Sequence, residues 1–196
     1  MNFTKIIFDR KDGVAKITMN RPEAMNGLDA DMLHEMEMAL EECEKDDSIR
    51  VVVLTGKGRA FSAGADLKYM LNVVADNVTR RWEYIRLVGK VTNTIYSLSK
   101  PVIAAVNGFA LAGGLELVMA CDLAIAADNA IIGDQHINYA LLPGAGGSQR
   151  LPRLIGVRKA KEYLLTGKWM SAQEAERLGL VNQVVPAGKL EEAVAD

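Results

Sequence analysis

The chain of 196 residues carries 23 Lys and Arg against 25 Asp and Glu, enough length for one well-cored domain and little for two. Balanced charge without a Lys/Arg run argues against nucleic acid or anionic lipid as a partner. With no apolar run near about 18 residues and no signal-type apolar core at the N-terminus, neither a membrane span nor export is expected. Cys43 and Cys121 belong to no CxxC or Cys/His pattern, so both read as buried thiols of a reducing, cytoplasmic compartment, and no ligand cluster points to a metal.

In chain order, Lys5–Phe8 and Val14–Met19 predict two strands joined by the polar turn Asp9–Gly13, which holds an Asp-Gly pair. Asn20-Arg21-Pro22 breaks the pairing. Asp29 is placed to cap a helix whose apolar positions Met32, Leu33, Met36, Leu40 and Cys43 recur at helical spacing. Arg50–Thr55 is a continuous apolar run, the pattern of a strand covered on both faces. It is followed by a loop, Arg59–Leu67, whose small residues Ser62, Ala63, Gly64 and Ala65 let main-chain N–H groups approach a ligand. Trp82, Ile85, Val88, Thr92, Ile95 and Leu98 predict a long amphipathic helix ending at Ser99.

Val102–Val106, opened by Pro101, reads as a buried strand, and Leu115–Ala120 as a helix. Between them Gly108, Gly113 and Gly114 are expected to supply positive φ and close backbone approach, while the new helix presents unpaired N–H groups. Such a turn suits developing negative charge. Glu116 follows in an otherwise apolar segment, where a carboxylate is costly unless paired or used. It reads either as an acid-base residue beside an anion hole or as a carboxylate complementing the helix dipole. Asp122–Ala126 and Ala130–Gly133 read as short strands, Gly144–Gly147 opens a helical region, and Val157–Leu165 is another helix. Ser171 and Glu174 form a capping box for a helix that Gly179 closes, and Val181–Val185 is a last strand. Lys189–Asp196 begins a helical pattern of about two turns, marginal alone, and reads as cut short.

The glycine-rich loops do not spell nucleotide chemistry: GxxxxGK[ST] is absent, and no GxGxxG opens a helix after a strand. Ser62 and Ser148 lack a GxSxG elbow, and His34, in a charged helical stretch, reads as a solvated residue. What remains is two backbone-donor loops, at 63–66 and 112–114, with Glu116 behind the second. Paired N–H donors on one carbonyl oxygen stabilise an enolate or oxyanion, which fits proton transfer or addition beside an activated carbonyl.

The segments NRPEAMN (20–26), FSAGADL (61–67), KPVIAAVNGFALAGGLEL (100–117), ACDLAIA (120–126) and LLPGAGGSQRLPRLIG (141–156), in this order, resemble the crotonase superfamily, the enoyl-CoA hydratase/isomerase family. The resemblance implies an α/β fold, a crotonase-like spiral of ββα units, formed here by residues 1–196 as a single domain lacking most of the C-terminal helical trimerisation region. It implies an acyl-coenzyme A thioester substrate, with CoA as part of the substrate and no separate cofactor, and a homotrimer or hexamer. Ala65 and Gly113 match the oxyanion-hole positions. Ala24, Ala63, Gly64, Asp66, Leu67 and Gly114 match loops that contact CoA or substrate. Glu116 matches the first catalytic glutamate.

Counting back seven residues from Pro143 to the expected second glutamate gives His136. Imidazole titrates near pH 6.5 and is suited to the same proton transfer. Hydration of a 2-enoyl-CoA, or the reverse dehydration, is the leading expectation, with Glu116 and His136 catalytic. The alternatives are another crotonase-type reaction (isomerase, hydrolase or decarboxylase) and a non-catalytic CoA-binding member. The walls of the acyl pocket are expected to include the stretches 70–79 and 135–142.

Overall fold

The chain repeatedly lays down a strand in one sheet, a shorter strand in a second sheet, and then a helix. The computed structural model describes residues 3–74 and 76–196, so Ala75, within the expected 70–79 wall, lies outside the described residues. In chain order the elements are β1 (Ile6–Lys11), β2 (Val14–Met19), α1 (Ala30–Lys45), β3 (Val51–Gly56), β4 (Ala60–Ser62), α2 (Leu67–Tyr69), α3 (Val78–Ser97), β5 (Val102–Val106), β6 (Phe109–Leu111) and α4 (Gly113–Ala120). There follow β7 (Leu123–Ala127), β8 (Ile131–Gly133), α5 (Gly147–Ile155), α6 (Val157–Thr166), β9 (Met170–Ser171), α7 (Ala172–Leu178), β10 (Gln183–Val185) and α8 (Leu190–Ala195).

The larger sheet has the order β1-β2-β3-β5-β7-β10, and the smaller one the order β4-β6-β8-β9. β1 and β2 pair antiparallel, whereas β2, β3, β5, β7 and β10 are parallel. Successive units β3-β4-α3, β5-β6-α4 and β7-β8-α5 each give one strand to each sheet, so the chain climbs as a spiral.

The apolar run in β3 is explained by burial on both faces. On one side Val52 and Leu54 join the main core with Leu33, Met36, Ile95 and Leu117. On the other, Val53 joins Ala105, Ala127, Val185 and Leu190, against which α8 packs. The helix-spaced residues of α1 are all buried, and Asp29 caps the helix by accepting from the Met32 N–H at 2.8 Å. Ser171 likewise caps α7 by accepting from Glu174 N–H, and Gly179 ends it at φ +79°. Cys43 is buried and Cys121 only half-buried.

The structure corrects several boundaries. β1 continues to Lys11, and only Asp12-Gly13 turns, with φ of +53° and +85°. Its polar residues pair across the hairpin, Asp9 with Lys16 and Arg10 with Ala15, because an edge strand can be solvated and still hydrogen-bonded. The loop expected over Arg59–Leu67 and the glycine-rich turn after Val106 each contain a three-residue strand, β4 and β6, too short to show alternation. α3 ends at Ser97, and its buried stripe is Tyr84, Val88, Val91, Thr92 and Ile95. Trp82 and Ile85, expected on that stripe, are 61% and 36% exposed.

Candidate active site

The site begins where β4 and β6 lie side by side. These strands are parallel, so the loops that follow them emerge at the same end. The loop after β4 is held from beneath: Leu28 N–H donates to Gly64 O at 2.8 Å, and Asp66 N–H donates to Leu28 O at 3.1 Å. This parallel bridge turns the intervening Ala65 N–H away from Leu28. The buried Tyr84 hydroxyl also donates to Leu28 O, at 2.7 Å.

The second loop turns sharply into α4. Positive φ falls on Ala112, at +48°, rather than on Gly108, Gly113 or Gly114 as expected. Those glycines answer to crowding instead: a Cβ on Gly108 would collide with the Arg59 carbonyl, and one on Gly114 with the Ser62 carbonyl. Positive φ in the first loop belongs to Gly64, at +89°, where a Cβ would sit 2.8 Å from Gly113 N. A Cβ on Gly113 would lie 3.7 Å from Ala65 N, so the two loops touch main chain to main chain. Neither the Ala65 nor the Gly113 N–H finds an acceptor among the described residues.

Glu116 lies in the first turn of α4 and is 2% exposed. Its Oε1 accepts from the N–H groups of Ala145 and Gly147, both at 2.8 Å, at the N-terminus of α5. The dipole-complement reading of Glu116 therefore applies to α5 as well as to its own helix. Its Oε2 faces His136 Nε2 at 3.7 Å. His136 stands in a 3₁₀ turn, His136–Tyr139, with its side chain 13% exposed. The other ring nitrogen, Nδ1, lies 3.1 Å from both carboxylate oxygens of Asp134.

Burial pushes the Glu116 carboxyl above its ordinary value; the His136 charge and the Gly147 and Ala145 N–H groups oppose that push, and the Asp134 charge adds to it. For His136 burial is the largest influence and disfavours the charged ring. The Asp134 hydrogen bond and charge, with the charge of Glu116, outweigh it, so His136 sits above its ordinary value.

The remaining expected site residues lie in or beside the loops already described. Ala24 ends a 3₁₀ turn and its carbonyl accepts from Gly27 N–H at 3.0 Å, while Ala63 N–H donates to Met25 O at 3.0 Å. The Asp66 carboxylate is engaged within the protein: it pairs with Arg21 Nη2 at 2.8 Å and accepts from Tyr69 N–H at 3.0 Å. Leu67 is 48% exposed beside it, and Gly114 is buried. His34 is a surface residue of α1, its side chain 61% exposed, and stands apart from this constellation. A groove of about 610 Å³ between α1 and α3 is lined by His34, Tyr69, Tyr84 and Lys90, and none of Ala65, Gly113, Glu116 or His136 lines it.

Sequence reading missed three participants. Asp134 is 1% exposed and was legible only as one letter of a short strand's end. Arg21 bridges Asp29 at 3.0 Å and Asp66 at 2.8 Å. Asn26, fully buried, donates to Ala60 O at 2.7 Å. A signal was available for the last two in the polar NRPEAMN segment between apolar elements, since buried polar side chains are kept where they tie loops together.

The chain is similar to proteins of known family. The profile of the family described as enoyl-CoA hydratase/isomerase matches residues 9–195. A crotonyl-CoA hydratase of Syntrophomonas wolfei is 44% identical over 191 residues, covering 97% of this chain and 72% of that protein. A short-chain-enoyl-CoA hydratase of Clostridium acetobutylicum is 42% identical over 191 residues, with the same shares of 97% and 72%. The crystal structure of an enoyl-CoA hydratase from Bacillus anthracis superposes with a TM-score of 0.94 at 43% identity, covering 98% of this chain and 74% of that one. The chain spans 64% to 74% of the length of the curated relatives it matches. With family profile, relatives and spiral topology in accord, this α/β chain has the crotonase fold and belongs to the enoyl-CoA hydratase/isomerase family.

Proposed function

We propose that the chain hydrates a 2-enoyl-CoA thioester to the 3-hydroxyacyl-CoA, and catalyses the reverse dehydration. The observation that carries this reading is the pair of acceptor-free N–H groups, Ala65 and Gly113, on touching loops, with the buried Glu116 one turn into the helix that starts at Gly113. Donors fixed in advance toward one thioester oxygen stabilise the enolate that forms when water adds, typically by about 3 kcal/mol for each donor. Glu116 Oε1 is occupied by two N–H groups, which leaves Oε2 to take a proton from the attacking water. His136 Nε2, facing Oε2, delivers a proton to the α-carbon.

CoA then runs along the main chain of Ala24, Ala63, Gly64, Asp66, Leu67 and Gly114, and it is part of the substrate rather than a separate cofactor. Residues 1–196 act as one crotonase-like domain in a cytoplasmic homotrimer or paired trimer. Exposed apolar side chains support assembly: Leu142 is 87% exposed, Leu165 70% and Trp169 57%. Among the described residues no helix is long and apolar enough to cross a membrane.

Product analysis after incubation with unsaturated, β-keto and malonyl-type CoA thioesters tests the reading. Hydration of the unsaturated thioester supports it. A moved double bond, a cleaved thioester or lost carbon dioxide in its place assigns a different reaction to the same oxyanion site. Binding of all thioesters without turnover leaves a CoA-binding protein.

A further inference from the structure

His136 lies between two buried carboxylates on different elements. Asp134, at the end of β8, is 1% exposed and Glu116, on α4, is 2% exposed. Asp134 is locked by its own backbone turn, since His136 N–H donates to Asp134 Oδ1 at 3.1 Å. The same carboxylate meets ring Nδ1 with both oxygens at 3.1 Å. A carboxylate has no proton to give, so the ring nitrogen is the donor in this contact. Among the described residues no lysine or arginine pairs with either carboxylate; the charged groups acting on the imidazole are Asp134 from its own turn and Glu116 from α4.

We propose that Asp134 is the positioning residue of the site: it holds a proton on His136 Nδ1 and thereby makes Nε2, the nitrogen facing Glu116 Oε2, the one that exchanges its proton. The ring needs this because free histidine prefers the other tautomer only weakly, and an undirected ring would present Nδ1 or Nε2 to the site according to chance contacts. The inference rests on the hydration reading for its chemical consequence, and its structural content is independent of turnover.

In the hydration direction the water oxygen forms a bond to the β-carbon as one water proton passes to Glu116 Oε2, and the carbon–carbon π pair moves into the enolate. The enolate pair then takes the Nε2 proton at the α-carbon, leaving a neutral ring that still donates Nδ1–H to Asp134. Transfer of the proton from Glu116 Oε2 to Nε2, groups that stand 3.7 Å apart, restores both residues for the next cycle. The burial that pushes Glu116 up favours its role as the temporary holder, and the charge of Asp134 favours the protonated ring.

The chain has two histidines, so the tautomer is directly readable. Long-range ¹H–¹⁵N spectra of ¹⁵N-histidine-labelled protein, with the His34→Gln variant to assign the signals, are recorded as a pH series on wild type and Asp134→Asn. The neutral His136 ring of the wild type is expected to be protonated on Nδ1. Asp134→Asn keeps an oxygen for the turn but removes the charge, and should lower the His136 titration midpoint by about one pH unit or more. With crotonyl-CoA as substrate, kcat should fall about a hundredfold with KM nearly unchanged, and its pH profile should move in the same direction. Asp134→Glu, which retains a carboxylate, should restore part of the midpoint. A wild-type ring protonated on Nε2 overturns the proposal without any variant, and so does a wild-type midpoint and tautomer in Asp134→Asn. If the spectra show the expected tautomer and shift but no thioester is hydrated, the positioning role stands and the hydration reading falls.

Discussion

Glu116 and His136 meet through one oxygen and one nitrogen, Oε2 and Nε2, 3.7 Å apart, while the opposite atom of each side chain is already bound to the protein. The division gives each residue a side bound to the protein and a side that faces its partner. In chemical terms it is a pair whose two halves can hold the same proton in turn, inside a site too buried for solvent to do so cheaply.

This pairing shows up in stability against pH. The folded-state value of His136 is raised above its ordinary 6.5, so the folded protein holds that proton after the unfolded chain has released it. The stabilisation is fully present below 6.5 and is lost as pH rises through the folded value, at roughly 1.4 kcal/mol for each unit of displacement. Glu116, also raised, adds a slope of the same sign beginning above 4.5. Urea unfolding of wild type and His136→Gln between pH 5 and 9 should therefore show the wild type losing stability relative to the variant as pH rises. Parallel curves would remove the buried ion pair from the account.

Two glycine substitutions separate close packing from mere flexibility. Gly114→Ala drives a Cβ into the Ser62 carbonyl, and backbone has to move, so a loss of about 1–3 kcal/mol and a fall in kcat are expected. Gly89→Ala, on α3 with nothing within 4 Å of the new Cβ, should stabilise the protein by about 0.5–1 kcal/mol and leave kcat alone. The checks are urea midpoints and steady-state rates on the same preparations.

Arg21 carries a heavier load than its loop position implies. Its guanidinium pairs with Asp29, which caps α1, and with Asp66, which caps α2. Arg21→Met leaves the largely buried Asp66 carboxylate without its cation and Asp29 with only Lys5, at 3.8 Å, and about 3 kcal/mol of stability should go with it. Because protonation relieves an orphaned carboxylate, the deficit should shrink in acid. A surface arginine of little consequence would show neither effect.

Much of the fold was legible because its strong signals are local. The apolar run of β3, the helical spacing of α1 with Asp29 at its start, and the Ser171–Gly179 frame of α7 all declare themselves within a few residues. β4 and β6 did not, because three residues carry no period, and they exist by pairing with each other across about fifty positions of sequence. Trp82 was misassigned to the core because spacing alone does not say where a stripe starts; Tyr84 starts it, with a buried hydroxyl on Leu28. In the site, the glycine loops and Glu116 stood out as chemically odd in their own stretches. Asp134 did not, since an aspartate at a strand end is ordinary until its burial and its two contacts to the His136 ring are seen.

The most direct test of the hydration account is the decay of the conjugated thioester absorbance of crotonyl-CoA with wild type, Glu116→Gln and His136→Ala. The account expects turnover by the wild type and a fall of about a hundredfold or more in kcat for each variant, with folding intact by circular dichroism. A His136→Ala variant as fast as the wild type would contradict the assignment of the second proton to the imidazole, and a Glu116→Gln variant as fast as the wild type would contradict the account as a whole.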